Sequence, residues 1–133
     1  MKSRVVVLMI SALTGCTLLV GGCDHGTDPN GQSTILSIDL ESDFQHDLVE
    51  VSLDGQTLTN SIMTTNDVLS LAWSTGPRTT PVGDHTVTVL VNGVFVNGRH
   101  QFTLADTTTL RVRYDRQKGE LQFAEYKGMI LRD

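Results

Sequence analysis

From Thr34 to the end of the chain, apolar and polar residues alternate with a period of two, the spacing of strands with one buried face. Leu36, Ile38 and Leu40 alternate with Ser37, Asp39 and Glu41, and Val49, Val51 and Leu53 alternate with Glu50 and Ser52. The second run stops at Asp54-Gly55, a pair that accepts the positive φ of a type I′ turn, so the pattern predicts a hairpin with Val51 opposite Leu58. Leu69, Leu71 and Trp73 form the next apolar row, which gives Trp73 a core position. The segment Ser74-Thr75-Gly76-Pro77-Arg78-Thr79-Thr80-Pro81 then breaks the pattern, since proline cannot donate to a ladder.

A second hairpin is predicted from Val87, Val89 and Val91 on one side of Asn92-Gly93 and Val94 and Val96 on the other. With a two-residue turn, Val91 faces Val94, Val89 faces Val96 and His85 faces His100, with Phe102 and Leu104 on the valine face. A second Asn-Gly, at Asn97-Gly98, leaves open a loop over 92–98 between two shorter strands. Leu110, Val112 and Tyr114 followed by Leu121 and Phe123 make the last pair. No helical period is sustained after residue 34. The expected fold is therefore all-β, an antiparallel β-sandwich of seven or eight strands, chosen over a small barrel.

The first 33 residues follow different rules. Lys2 and Arg4 precede an apolar run from 5 to 20, which is interrupted by Ser11, Thr14 and Cys16 and is short for a bilayer span. Leu19-Val20-Gly21-Gly22-Cys23 resembles the bacterial lipobox, in which an apolar residue and two small ones precede the cysteine that is acylated. Leu13-Thr14-Gly15-Cys16 matches the same motif. Cleavage there would leave Thr17-Leu18-Leu19-Val20 at the mature end, whereas cleavage before Cys23 leaves a polar tether, which favours Cys23. The resemblance implies a signal peptide over 1–22, a lipidated Cys23 with a flexible tether over 23–33, and a β-domain over 34–133. It also implies a bacterial cell envelope location, on the inner or the outer membrane, with the membrane itself as a partner through the lipid anchor.

Val82-Gly83-Asp84-His85-Thr86-Val87-Thr88-Val89-Leu90-Val91-Asn92-Gly93 resembles a strand of bacterial immunoglobulin-like and carboxypeptidase-regulatory-like domains, and Leu53-Asp54-Gly55 is similar to their early hairpin. The resemblance covers about 25 residues and implies an Ig-like sandwich. Such domains serve as spacers, binding modules and adhesion units.

Charge narrows the partners. Without the leader, 111 residues carry 8 basic and 15 acidic side chains, and no Lys or Arg occurs between Asp24 and Gly76. An acidic chain without a basic stripe argues against nucleic acid as a partner. A catalytic reading lacks its parts: the histidines are scattered, and no nucleophile elbow, zinc-helix motif or phosphate loop is present, so the chain reads as non-enzymatic and without a cofactor. His85 and His100, opposite each other in the expected register, are the candidate metal pair, although zinc wants three or four ligands. Asp39, Glu41, Asp43, Asp47 and Glu50 offer oxygens for calcium, without EF-hand spacing. Leu90 and Phe95 fall on the outward face at the hairpin tip and are the candidate contact site for an envelope protein partner.

Overall fold

The computed structural model describes residues 31–93 and 95–129. The leader, Cys23 and the tether up to residue 30 lie outside the described residues. Nine strands are seen: β1 (Ser33–Glu41), β2 (Asp47–Leu53), β3 (Gln56–Met63), β4 (Leu71–Ser74), β5 (Arg78–Pro81), β6 (Gly83–Val91), β7 (Val96–Leu104), β8 (Thr108–Asp115) and β9 (Glu120–Lys127). They form two sheets. One runs β4-β1-β8-β9 with β5 also on β1, and the other runs β3-β2-β6-β7. All pairs are antiparallel except β1 with β8, which run parallel from Leu36↔Thr108 to Glu41↔Arg113.

The period of two is what places the core. Leu36, Ile38 and Leu40 from one sheet meet Val49, Val51, Val87, Val89 and Val91 from the other, all fully buried, with Leu110 and Val112 beside them. Each such side chain stabilises the fold by about 1.5–3 kcal/mol. Trp73 pairs with Leu40 and packs against this cluster, but a register shift puts Leu71 opposite Glu41 and Leu69 is exposed, so the three do not form one inward row.

The strand count is nine rather than seven or eight because the proline-containing segment after Trp73 pairs after all. β4 takes the C-terminal half of β1's edge and β5 takes the N-terminal half. Pro81 ends β5 on a sheet edge, where a missing N–H costs no ladder bond. The Asp54-Gly55 turn forms as expected, with φ of 51° and 83° and Leu53 opposite Gln56. A bulge then shifts the register, so Val51 faces Thr59 and Leu58 is the extra residue.

The second hairpin keeps its parity but is two residues out of register. Val91 pairs with Val96 across a loop of 92–95, so Val89 faces Gly98, His85 faces Phe102 and His100 faces Val87. Asn92 and Gly93 still adopt positive φ, and the strand continues unbroken through Gly98. Phe102 and Leu104 are buried on the valine face.

Two further edges meet where β7 approaches β9. A Cβ added at Gly98 would lie 2.8 Å from Phe123 Cε2 and 3.0 Å from Leu121 Cδ1, so glycine permits the closure. The Phe123 ring is itself held by the His100 imidazole, stacked 5.2 Å away at 7°. Gly98→Ala is expected to cost about 1–3 kcal/mol, since the added methyl must displace the Phe123 ring from its stack on His100. Urea unfolding checks this, and an unchanged midpoint would count against the closure.

Candidate functional site

Strand direction gives the sandwich two unlike poles. At the near pole the chain enters β1, where Ser33 pairs with Pro81 and Gln32 accepts from the Val82 N–H. The Asp54-Gly55 turn, the start of β6 and the end of β9 lie at the same pole. At the far pole are the loops 42–46, 64–70, 92–95 and 116–119. Nine-residue strands separate the two by roughly 30 Å.

One buried carboxylate organises the far pole. Asp47 opens β2 and is 3% exposed. Its Oδ2 accepts from the Gln45 N–H at 2.8 Å and from Arg116 Nη2 at 2.5 Å, and its Oδ1 accepts from Asn92 Nδ2 at 2.9 Å. Gln45 belongs to the β1–β2 loop, Asn92 to the β6–β7 loop and Arg116 to the β8–β9 turn. Asn92 is fixed further, because its Oδ1 accepts from the Leu48 N–H and its own N–H donates to the Leu48 carbonyl.

The β1–β2 loop needs this support. Ser42, Asp43 and His46 all have positive φ, which costs a non-glycine residue about 1–2 kcal/mol each. Arg116 donates to the carbonyl oxygens of Asp43 and Gln45, and the Thr65 and Thr64 hydroxyls accept from the Phe44 and His46 N–H groups. Phe44 turns inward from this loop and plugs the pole, its ring 5.1 Å from that of Tyr114.

The exposed large apolar side chains gather toward this end. Among the described residues, five of the seven, Leu48, Ile62, Val68, Leu69 and Phe95, lie in its loops or within two residues of them. Phe95 is 88% exposed on the loop that Asn92 pins. Leu90, the other residue expected at the contact site, is half-buried and lines a hollow of about 80 Å³ with Leu48, Glu50, Asn60 and Gly93. Leu90 and Phe95 are thus both at the far end, and the sequence reading missed Leu48 and Ile62 beside them.

The two histidines are held apart. His85 is buried near the near pole, where Nδ1 lies 2.6 Å from Asp54 Oδ2 and Nε2 lies 2.6 Å from the Pro81 carbonyl oxygen. Asp54 Oδ1 also accepts from the Thr86 N–H, so this contact latches the β2–β3 turn onto β6. The dyad resembles two legs of a catalytic relay, but Nε2 faces a carbonyl, which has no proton to yield. His100 lies in the β7–β9 seam with Nε2 3.1 Å from Glu125 Oε2. Phe102 stands between the imidazoles, its ring 5.9 Å from one and 6.1 Å from the other. The cross-strand pairing on which a shared metal rested is therefore replaced by two separate His–carboxylate contacts. Among the described residues, no group of three or more His, Cys, Asp or Glu is placed to hold a metal ion.

The acidic row of β1 also differs from a solvated face. Glu41 is 1% exposed, and Arg111 on the neighbouring β8 grips it at both oxygens, at 2.7 and 2.6 Å. The guanidinium lies 5.2 Å from the Tyr126 ring centroid, which covers the pair from β9. Asp39 accepts from the Ser37 and Ser74 hydroxyls. These carboxylates serve the sheet.

A scan against protein-family models finds no match to the chain, and a search of curated proteins finds no relative.

Burial pushes the Asp47 carboxyl up, but the Gln45 N–H, the Asn92 amide and the Arg116 guanidinium outweigh it and hold it below the ordinary carboxylate value. A depressed folded pKa gives stability that is present above the unfolded value of about 3.9 and lost as pH falls through the folded one. Asp47→Asn should therefore destabilise the domain by about 1–3 kcal/mol at neutral pH. The gap from wild type should close on acidification. Urea melts at pH 7 and pH 2 measure it, and equal gaps would contradict the assignment.

Proposed function

We propose that this chain is a lipoprotein of the bacterial cell envelope, acylated at Cys23, whose Ig-like sandwich is a non-enzymatic binding module with its working end at the far pole. The observation that carries the reading is the segregation along the strand axis. The chain enters β1 at one pole, while, among the described residues, five of the seven exposed large apolar side chains lie toward the other. A tether of ten residues has a root-mean-square span of roughly 17 Å, enough to hold the near pole at a lipid surface with the far pole outward. Phe95 is then offered to a protein partner on a loop already fixed by Asn92, so binding costs little ordering of the loop.

The Ig-like assignment rests on the two-layer arrangement, on the β6–β7 hairpin that carries the resemblance, and on a first strand paired in parallel with a late one. The metal alternative draws no support from His85 or His100, each engaged elsewhere. The calcium alternative fares no better, since Asp39, Glu41 and Asp47 are committed to hydroxyl, guanidinium and amide donors.

Two measurements test this. Mass spectrometry of the N-terminal peptide from membrane-purified protein should find an acylated thioether at Cys23. A soluble product with a free thiol there would overturn the anchor. Phe95→Asp should abolish recovery of the partner from envelope extracts while leaving the melting midpoint unchanged, since an exposed tip contributes little to stability. Equal recovery with both proteins would remove the far-pole site.

A further inference from the structure

A sandwich of two open sheets has four edges, and here three are shortened or shut. β4 and β5 divide one edge of the first sheet into two pieces of four residues, and β5 carries Arg78 and ends in Pro81. The β7 and β9 edges close on each other through Gly98 against Phe123 and His100 against Glu125. Short strands, charges and proline are the ordinary means of keeping an edge from pairing.

The fourth edge is β3, and it lacks most of those devices. It has eight residues, Gln-Thr-Leu-Thr-Asn-Ser-Ile-Met, and pairs with β2 alone. It contains no proline and is the longest strand without Asp, Glu, Lys, Arg or His. Its one irregularity, the bulge at Leu58, lies in the half nearest the Asp54-Gly55 turn. The unpaired side of such a strand offers N–H and C=O groups that only another strand can match in a ladder.

We propose that β3 pairs antiparallel with β3 of a second copy of this chain, about a two-fold axis at Asn60, joining two four-stranded sheets into one of eight. Lack of charge favours a second copy. About a two-fold axis at Asn60 only Asn60 meets its own copy, where a charge would oppose itself, while Thr59 of each chain meets Ser61 of the other, so that the pairs nearest the axis, Asn–Asn and Thr–Ser, can hydrogen-bond. Asn60 is the exposed residue at the middle of the strand, on the outward face where it stands opposite Glu50 of β2. Antiparallel pairing reverses the second copy, so the two near poles lie at opposite ends of the pair. Given the lipid anchor proposed above, the pair therefore joins copies held on facing surfaces. The pairing itself does not depend on that anchor.

The test uses the full chain in detergent, so that it reads pairing whether or not Cys23 carries lipid. Asn60→Cys should form a disulfide-linked dimer under mild oxidation on the order of 10-fold faster than Gln101→Cys, an exposed position on β7, because thiols at a pairing axis meet at high effective concentration. Asn60→Lys can pair with Glu50 of its own chain, so the fold tolerates it, and circular dichroism melts check that it does. By sedimentation, Asn60→Lys and Asn60→Glu should each be monomeric where wild type is dimeric, and an equimolar mixture should dimerise again. Equal oxidation rates at the two cysteines, a wild-type chain monomeric at all concentrations, or variants as dimeric as wild type would each overturn the proposal.

Discussion

Asp47 is the point where the far pole is held together. Its two oxygens receive the β1–β2 loop, the β6–β7 loop and the β8–β9 turn, while its own backbone begins β2. A carboxylate taken out of water is costly unless nearly every lone pair is used, and here an amide N–H, a side-chain amide and a guanidinium use them. The same contacts let three non-glycine residues remain at positive φ in the loop beside it. The valine and leucine core would bring two sheets together without Asp47, but it would not determine how the loops at their end are arranged. Asn92, the first residue of the loop that carries Phe95, is held by that one ionised group.

Much of the fold was legible because it depends on neighbours in sequence. The period of two marks Leu36, Ile38, Leu40, Val87, Val89 and Val91 as inward, and all are buried. Asp54-Gly55 carries its own φ requirement and forms the turn where expected. Register was less legible. Asn92-Gly93 takes the positive φ that the pair permits, yet the loop closes two residues later, and parity alone cannot distinguish pairings that differ by two. The site was least legible. Asp47 reads as one acid among nine in an acidic half, and its partners Asn92 and Arg116 lie 45 and 69 residues away. Glu41 likewise reads as one of several oxygens offered for calcium until folding brings Arg111 alongside, 70 residues later.

The two poles and the edges are held by different contacts. The near pole is tied down by backbone pairing and by His85, which joins the β2–β3 turn to the strand that follows Pro81. The far pole is built from loops held by side chains and, among the described residues, carries most of the exposed large apolar side chains. The seam between β7 and β9 removes two edges through ring stacking and one glycine, which leaves β3 as the long unguarded strand. Without a disulfide among its described residues, the domain is held by one continuous apolar core, by Asp47 across the far-pole loops and by His85 at the near pole.

The anchor proposed at Cys23 sets one end of the sandwich toward the bilayer, and depth-dependent fluorescence quenching measures which end it is. With the lipidated full chain in vesicles containing acyl-chain quenchers, one fluorophore is attached at Gly55 and, in a separate sample, at Phe95. Anchoring at the near pole predicts that the Gly55 label is quenched more strongly and that the Phe95 label behaves as it does in free solution. Stronger quenching at Phe95 would place the apolar tip in the bilayer and contradict a far pole that is turned outward for a protein partner.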